Sequence, residues 1–310
     1  MSAANPATAA AEGVGASAAN HPDEGEDASV QGGYCVATAK GVLARASATL
    51  HTLDNSLTFH VAWRERTAYT TPAEQLALVP PDGPLEPLFY DDDLIAVSKP
   101  AHLPTENTLW IKDSLASRVA ARFGAVRVVH RLDWETSGVV VFARSELAVC
   151  SIGKQFCTHV CSKQYEAVLH GRLVPSTGVV DLPLGADSEH KPLQRLDFVN
   201  GKPSITSWQV LSYDPACDET HVILAPTTGR RHQLRLHCLA LGHPIVGDTL
   251  YAPAQPAPSI DALPGGPSTG GELPRPRTPA RLYLHARELV LSHPRTGEQL
   301  VLRVSDILFR

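Results

Sequence analysis

The stretch Val128-Val-His-Arg-Leu-Asp-Trp-Glu-Thr-Ser-Gly-Val-Val-Val-Phe-Ala143 decides how the chain is read. Its second half, Val139 to Ala143, is an unbroken apolar run too short for a helix. It predicts a strand buried on both faces. The first half sets His130, Arg131, Asp133, Glu135, Thr136 and Ser137 between two hydrophobic runs. A turn of that kind presents charged groups at fixed places on a rigid scaffold, as catalytic loops do. The same residues would also serve as an Arg–Asp network holding a tight turn. Spacing alone does not separate the two readings.

Working outward, Leu94 to Ser98 is a second short apolar run, ending at Lys99-Pro100, and predicts a strand entering a turn. From Ser114 to Phe123 the spacing is helical, with Leu115, Val119 and Phe123 on one face and Arg118 and Arg122 on another. Leu147 to Phe156 predicts a helix, and so does Arg231 to Leu241, which Gly242 would end. Tyr165–His170, His221–Ala225, Leu282–Ala286 and Leu300–Val304 predict strands. Short strands, few helices and no regular βαβ alternation point to an α+β fold with a mixed sheet.

Around this dense region the composition changes. Residues 1–33 are rich in Ala, Gly, Ser and acids, without sustained periodicity, and predict a disordered tail. Residues 34–86 are an arm or a small appendage, with Ser56–Trp63 as a candidate strand and Pro72–Leu78 as a candidate short helix. Residues 87–310 form the expected catalytic domain. Within it, 252–280 holds eight prolines and four glycines with no aromatic, which predicts an inserted loop.

Charge excludes one function class. Lys and Arg total 27 against 32 Asp and Glu, a net −5, so the protein does not hold nucleic acid by bulk charge. Asp23, Glu24, Glu26 and Asp27 carry most of that excess, however, and the rest of the chain is nearly neutral. Any basic surface comes from local clustering. Six cysteines without a Cys-x-x-Cys pair argue for reduced thiols in an intracellular, cytoplasmic protein, with an organelle as the alternative. Cys157, His159 and Cys161 lie close together but lack a second pair at zinc-ligand spacing, so no metal is expected. No run of about 20 apolar residues would span a membrane.

A second polar segment, Thr227-Thr-Gly-Arg-Arg-His-Gln-Leu-Arg-Leu-His237, crowds Arg230, Arg231, His232 and Arg235 into the expected first turns of a helix behind a glycine. That assembly suits an anion, most naturally a phosphate. A solvated basic helix end is the plainer reading, although Leu234, Leu236 and Leu239 sit among the arginines. Arg231 and Arg235, four apart, would share a face. In the following Gly242-His-Pro-Ile-Val-Gly-Asp248, the aspartate is placed to orient an arginine from that helix. Ser151-Ile-Gly-Lys154 fits a β-lactamase nucleophile motif whose companions are missing. No glycine pattern for a nucleotide cofactor opens a helix after a strand.

In combination these segments resemble the RluA-type RNA pseudouridine synthases. The resemblance rests on His-Arg-Leu-Asp-x-x-Thr-Ser-Gly at 130–138, Lys-x-Tyr at 163–165 and Gly-Arg-x-His-Gln-Leu-Arg-x-His at 229–237. Gly-His-Pro-Ile-x-Gly-Asp at 242–248 and Leu-His-Ala at 284–286 complete it. It implies the pseudouridine synthase catalytic fold, a mixed, mainly antiparallel sheet with flanking helices. It also implies a cofactor-free isomerase that detaches uracil from its ribose, turns it, and rejoins it through C5.

By this resemblance Asp133 is the catalytic carboxylate, Arg235 the cation that keeps it ionised and oriented, and Tyr165 the aromatic packed on the base. Tyr165 is also a candidate to take the C5 proton. Arg131 would reach into the stack vacated by a flipped base. His130, Arg230, Arg231 and His232 would contact the RNA, and Leu284 would wall the base pocket. The implied partner is a tRNA or rRNA stem-loop bound by a monomer. The alternative is an RNA-binding relative without activity, which loss of Asp133 or Arg235 would have favoured. One departure stands out: the family's Lys-Pro-x-Gly is Lys99-Pro100-Ala-His102 here, so that loop has a different shape.

Overall fold

In the computed structural model, which describes residues 35–37, 83, 85–108, 111–251 and 281–305, the apolar run after the polar loop is a strand with every residue buried. Thirteen strands and three helices occur among the described residues. The strands are β1 (Cys35–Ala37), β2 (Pro87–Tyr90), β3 (Leu94–Lys99), β4 (Arg127–Val128), β5 (Ser137–Ala143), β6 (Ser162–His170) and β7 (Thr177–Asp181). They continue as β8 (Leu184–Ala186), β9 (Gln194–Leu196), β10 (Ile205–Asp214), β11 (Glu219–Pro226), β12 (Leu284–Ser292) and β13 (Gln299–Arg303). The helices are α1 (Leu115–Phe123), α2 (Glu146–Cys157) and α3 (Gln233–Ala240).

Eleven strands form one sheet in the order β1-β7-β10-β11-β6-β12-β5-β3-β2, with β13 on β12 and β4 on β5. Only β1–β7 and β12–β5 pair in parallel, so the sheet is mixed and mainly antiparallel, as expected. A separate hairpin, β8–β9, lies off it.

Period-two alternation explains why β5 is apolar throughout. Val139, Val141 and Ala143 pack with Ala148 and Ile152 of α2, while Val140 and Phe142 face Leu115 and Val119 of α1. β3 divides likewise, Leu94 and Ala96 to one layer and Ile95 and Val97 to the other. Both faces of the strand are therefore covered, and each large side chain so buried contributes roughly 1.5–3 kcal/mol. α1 starts where its capping box places it, with Ser114 and Ser117 bonding each other's backbone N–H. A third cluster fills the other half of the sheet, where Leu234, Leu236 and Cys238 of α3 meet Ala167, Leu169, Val222 and Leu224.

Several expectations fall outside the described residues: the 1–33 tail, the Ser56–Trp63 strand, the Pro72–Leu78 helix and the 252–280 segment. Of the 34–86 arm, Cys35–Ala37 adds β1 to the sheet edge beside β7. One boundary is corrected. The helix predicted from Arg231 begins at Gln233, because His232 takes a left-handed conformation (φ 55°, ψ 19°) as its N-cap. It ends with Gly242 at φ 82°, a conformation glycine adopts without steric cost.

Candidate active site

The polar loop sits where β5 begins, and its register is fixed by a close backbone approach. Gly138 pairs with Ala286 across the parallel β5–β12 contact. A Cβ at Gly138 (φ 121°) would lie 2.2 Å from the Ala286 carbonyl oxygen, so only glycine fits. The residues flanking Asp133 are clamped on both sides. Thr105 Oγ1 donates to the Leu132 carbonyl (3.0 Å) and accepts from the Leu132 N–H (3.2 Å). Lys99 Nζ donates to the carbonyls of Trp134 (3.2 Å), Leu103 (2.7 Å) and Pro100 (2.9 Å). An ammonium has three N–H donors, and all three are used here. Lys99 is fully buried, which pushes its pKa down to about 7, while the charge of Asp133 opposes that shift. His102, at φ 61°, closes the variant Lys-Pro loop by packing edge-on against Trp134, ring centroids 5.0 Å apart.

Asp133 faces a cavity of about 680 Å³ together with Tyr165, Leu284, Arg235 and His232. These come from β6, β12, α3 and its N-cap, so the topology gathers residues far apart in sequence. The Asp133 side chain is 31% exposed, and among the described residues none donates a hydrogen bond to its carboxylate. Among the described residues the basic group within 4.0 Å of it is His232, with Nε2 4.0 Å from Oδ1.

Arg235 is 2% exposed and does not share a face with Arg231, because the helix starts after Arg231. Its Nε and Nη2 bond both Asp248 oxygens (2.8 and 2.5 Å), and Nη1 meets Glu135 at 2.9 Å. The bidentate pair realises the orienting role expected of Asp248. Burial opposes the charge on Arg235. The Asp248 hydrogen bonds and the charges of Asp248, Glu135 and Asp133 outweigh burial and hold the guanidinium above its ordinary pKa. Arg235 thus makes no ion pair with Asp133 and acts on it through space.

Burial, reinforced by Asp133, raises the pKa of Tyr165 and keeps the phenol neutral. His130 is built into the wall: its Nε2 accepts the Val141 N–H (2.9 Å), and its ring stacks on Phe156 at 4.6 Å. Burial and the charge of Lys163 push its pKa down to about 4, so it is neutral near pH 7. Lys163 donates to the Thr228 carbonyl (3.0 Å), which ties β6 to the turn before α3. Gln233 shapes the same turn, accepting from Arg230 N and Thr228 Oγ1 and donating to Ile205 O and Thr206 Oγ1. Arg131 and Arg231 are exposed on the cavity rim, Arg131 paired with Glu106, and Arg230 is half-buried there. Every sequence-predicted site residue lines this one cavity.

Thr105, Lys99 and Gln233 were not singled out from sequence. A lysine ending an apolar strand was the available signal for Lys99. Among the described residues, no group of three or more His, Cys, Asp or Glu is placed to hold a metal. No described helix is long and apolar enough to cross a membrane.

Residues 93–240 match the family described as RNA pseudouridylate synthase. Over 231 residues, 73% of this chain and 96% of the relative, the sequence is 41% identical to the dual-specificity RNA pseudouridine synthase RluA of Haemophilus influenzae. The enzyme of that name from Escherichia coli K12 is 38% identical over 228 residues, 72% and 94% of the two chains. Among solved structures, human RNA pseudouridylate synthase domain containing 1 superposes with a TM-score of 0.57 at 29% identity, covering 74% of this chain and 86% of that one. Human RNA pseudouridylate synthase domain containing 4 gives 0.54 at 30%, covering 72% and 89%.

Proposed function

This chain belongs to the RluA-type RNA pseudouridine synthase family, and we propose that Asp133 carries its chemistry on a uridine flipped out of a tRNA or rRNA stem-loop. The protein is an isomerase acting on RNA uridine. One observation carries the residue assignment: among the described residues none donates a hydrogen bond to the Asp133 carboxylate in the cavity, while the loop on either side of it is clamped. A carboxylate so held is aimed at whatever enters, and buried Arg235 acts on it through space. That suits both paths open to the aspartate, attack on the substrate or stabilisation of a detached sugar intermediate.

Tyr165 packs on the uracil ring. Its neutral phenol suits stacking in the resting site. Proton abstraction at C5 becomes easier once Asp133 has lost its charge, since that charge is one of the two causes raising the Tyr165 pKa. Leu284 walls the base. Arg131, Arg230 and Arg231 sit at the rim where phosphates of a stem-loop would run, positioning the RNA without reading sequence. The catalytic unit spans residues 87–310, works as a monomer inside the cell and needs no cofactor. The dual specificity named for the relatives supports more than one RNA substrate. Retention of Asp133, Tyr165 and Arg235 counts against an inactive RNA-binding relative.

The test is incubation of the full chain with unmodified tRNA and rRNA transcripts, with pseudouridine mapped by carbodiimide primer extension. Wild type gives stops at defined uridines and Asp133→Ala gives none. Full activity in Asp133→Ala removes the assignment.

A further inference from the structure

Thr136 follows Asp133 in a tight turn, closed by the Thr136 N–H on the Asp133 carbonyl (3.1 Å). Both residues line the cavity. Thr136 is only 2% exposed and its hydroxyl oxygen is sealed from solvent. Among the described residues none hydrogen-bonds to that oxygen. Its neighbours in the loop are engaged. Glu135 meets Arg235 (2.9 Å) and accepts from Thr249 Oγ1 (3.2 Å), and Ser137 Oγ lies 2.7 Å from His285 Nδ1. A buried hydroxyl without a partner destabilises a fold, and valine would fill the same space without that cost. A threonine in this state at the wall of a reaction cavity calls for a partner gained in another state.

An acceptor of the complementary kind stands in the same turn. The Asp133 carboxylate has no donor among the described residues, and with its side chain 31% exposed it is solvated through the cavity mouth. A base that enters the cavity displaces this solvent and leaves a desolvated charge in need of a donor. We infer that Thr136 is a positioning residue, whose hydroxyl turns to the Asp133 carboxylate when a base fills the cavity and takes the place of the solvent lost. The inference rests on the reading of Asp133 as the catalytic group.

The direction of the new bond is fixed, because a carboxylate only accepts and the hydroxyl must donate. The backbone is fixed as well, by the turn bond on one side and by β5, which starts at Ser137, on the other. Rotation about χ1 is the motion left to the side chain, and one such rotation sets the methyl where the hydroxyl was. A single torsion thus satisfies two groups that are unpaired at rest. It also holds the carboxylate in one direction while the base is present, through a bond of the short, charge-assisted kind.

Two variants of the full chain separate this role from packing. Thr136→Val removes the hydroxyl and keeps the shape, whereas Thr136→Ser keeps the hydroxyl and loses the methyl. With the hydroxyl unbonded at rest, Thr136→Val unfolds at a urea midpoint no lower than wild type, and Thr136→Ser, short of a buried methyl, at a lower one. Activity on unmodified tRNA and rRNA transcripts runs the other way. In Thr136→Val kcat/KM falls about 10- to 100-fold, the range for losing a hydrogen bond to a charged group, and Thr136→Ser retains most of it. A merely structural threonine would lose stability and activity together. Unchanged kcat/KM in Thr136→Val, a midpoint for it below that of wild type, or an equal loss of activity in the two variants overturns the inference. Full activity in Asp133→Ala would instead overturn the reading on which it rests.

Discussion

Two knots of Asp, His and Arg occupy different ends of β3, and the contrast between them shows what makes one of them a site. At the start of the strand, Asp91 Oδ1 takes the N–H groups of Asp93 and Leu94 (2.8 Å each), and its Oδ2 meets His293 Nε2 at 2.7 Å. Asp93 accepts two bonds from Arg295 (2.6 and 2.8 Å) and one from Ser145 (2.6 Å), the N-cap of α2. Both carboxylates are spent on joining strand, helix and hairpin. At the other end, beyond Lys99, Arg235 is as fully engaged by Asp248 and Glu135, but the neighbouring Asp133 has no donor among the described residues and opens on a cavity. Equal chemistry is thus structural where every acceptor is satisfied. It is available for reaction where one acceptor is left out.

The sharpest way to break this contrast is to remove one carboxylate from each knot. Asp248→Asn leaves buried Arg235 with Glu135 alone, and unpairing a buried charge costs about 3–5 kcal/mol. Asp93→Asn costs less, because Arg295 is 61% exposed and water compensates it. Urea unfolding of both variants measures the difference. A larger loss in Asp93→Asn would mean that the cavity-side knot is not the stabilising one. In the same preparations Asp248→Asn loses pseudouridine formation, since Arg235 loses its anchor, and Asp93→Asn keeps it.

That difference was only half legible in the sequence. Asp133, Arg235, Tyr165 and Leu284 could be grouped by motif, and β5 could be read from its apolar run and Gly138. Thr105 could not, because it acts through hydrogen bonds to the Leu132 backbone made only after folding. β10 was missed for another reason: Ile205–Asp214 alternates buried Thr206 and Trp208 with polar residues, and none of its last six residues is buried. That pattern imitates a loop until β7 and β11 flank it. The start of α3 was misplaced because nothing in a histidine announces a left-handed backbone.

A second prediction uses the histidines. On the cavity side, burial pushes His130, His232 and His237 down to about 4. His237 is neutral by design, its Nδ1 facing Thr206 Oγ1 (2.9 Å) and its Nε2 the Leu182 carbonyl (3.2 Å). With folded values near 4 and an unfolded value of about 6.5, the unfolded chain binds protons that the fold refuses between those limits. The histidine contribution to stability is therefore intact above about pH 6.5 and declines toward pH 4, by at most roughly 3 kcal/mol per histidine. Carboxylates with lowered pKa, Asp91 and Asp93 among them, act only below that window. The urea midpoint followed from pH 7 to 4 tests this, and His237→Asn should flatten the slope by one proton. A midpoint constant across that range would contradict it.

The smallest effect separates the two sets of arginines in RNA binding. Arg231 is exposed on the cavity rim and makes no ion pair among the described residues, whereas Arg295 is committed to Asp93. A free rim arginine that meets one phosphate displaces about one condensed counterion. Arg231→Ala should therefore reduce the slope of log affinity against log salt by roughly 0.7–0.9. Arg295→Ala should leave that slope unchanged, because its charge is already neutralised far from the cavity. Filter binding of a tRNA stem-loop between low and physiological salt distinguishes them. Equal slopes for the two variants would mean that RNA affinity is spread over the whole surface. A net charge of −5 argues against that, because a chain without bulk positive charge gains little affinity from arginines scattered over its surface.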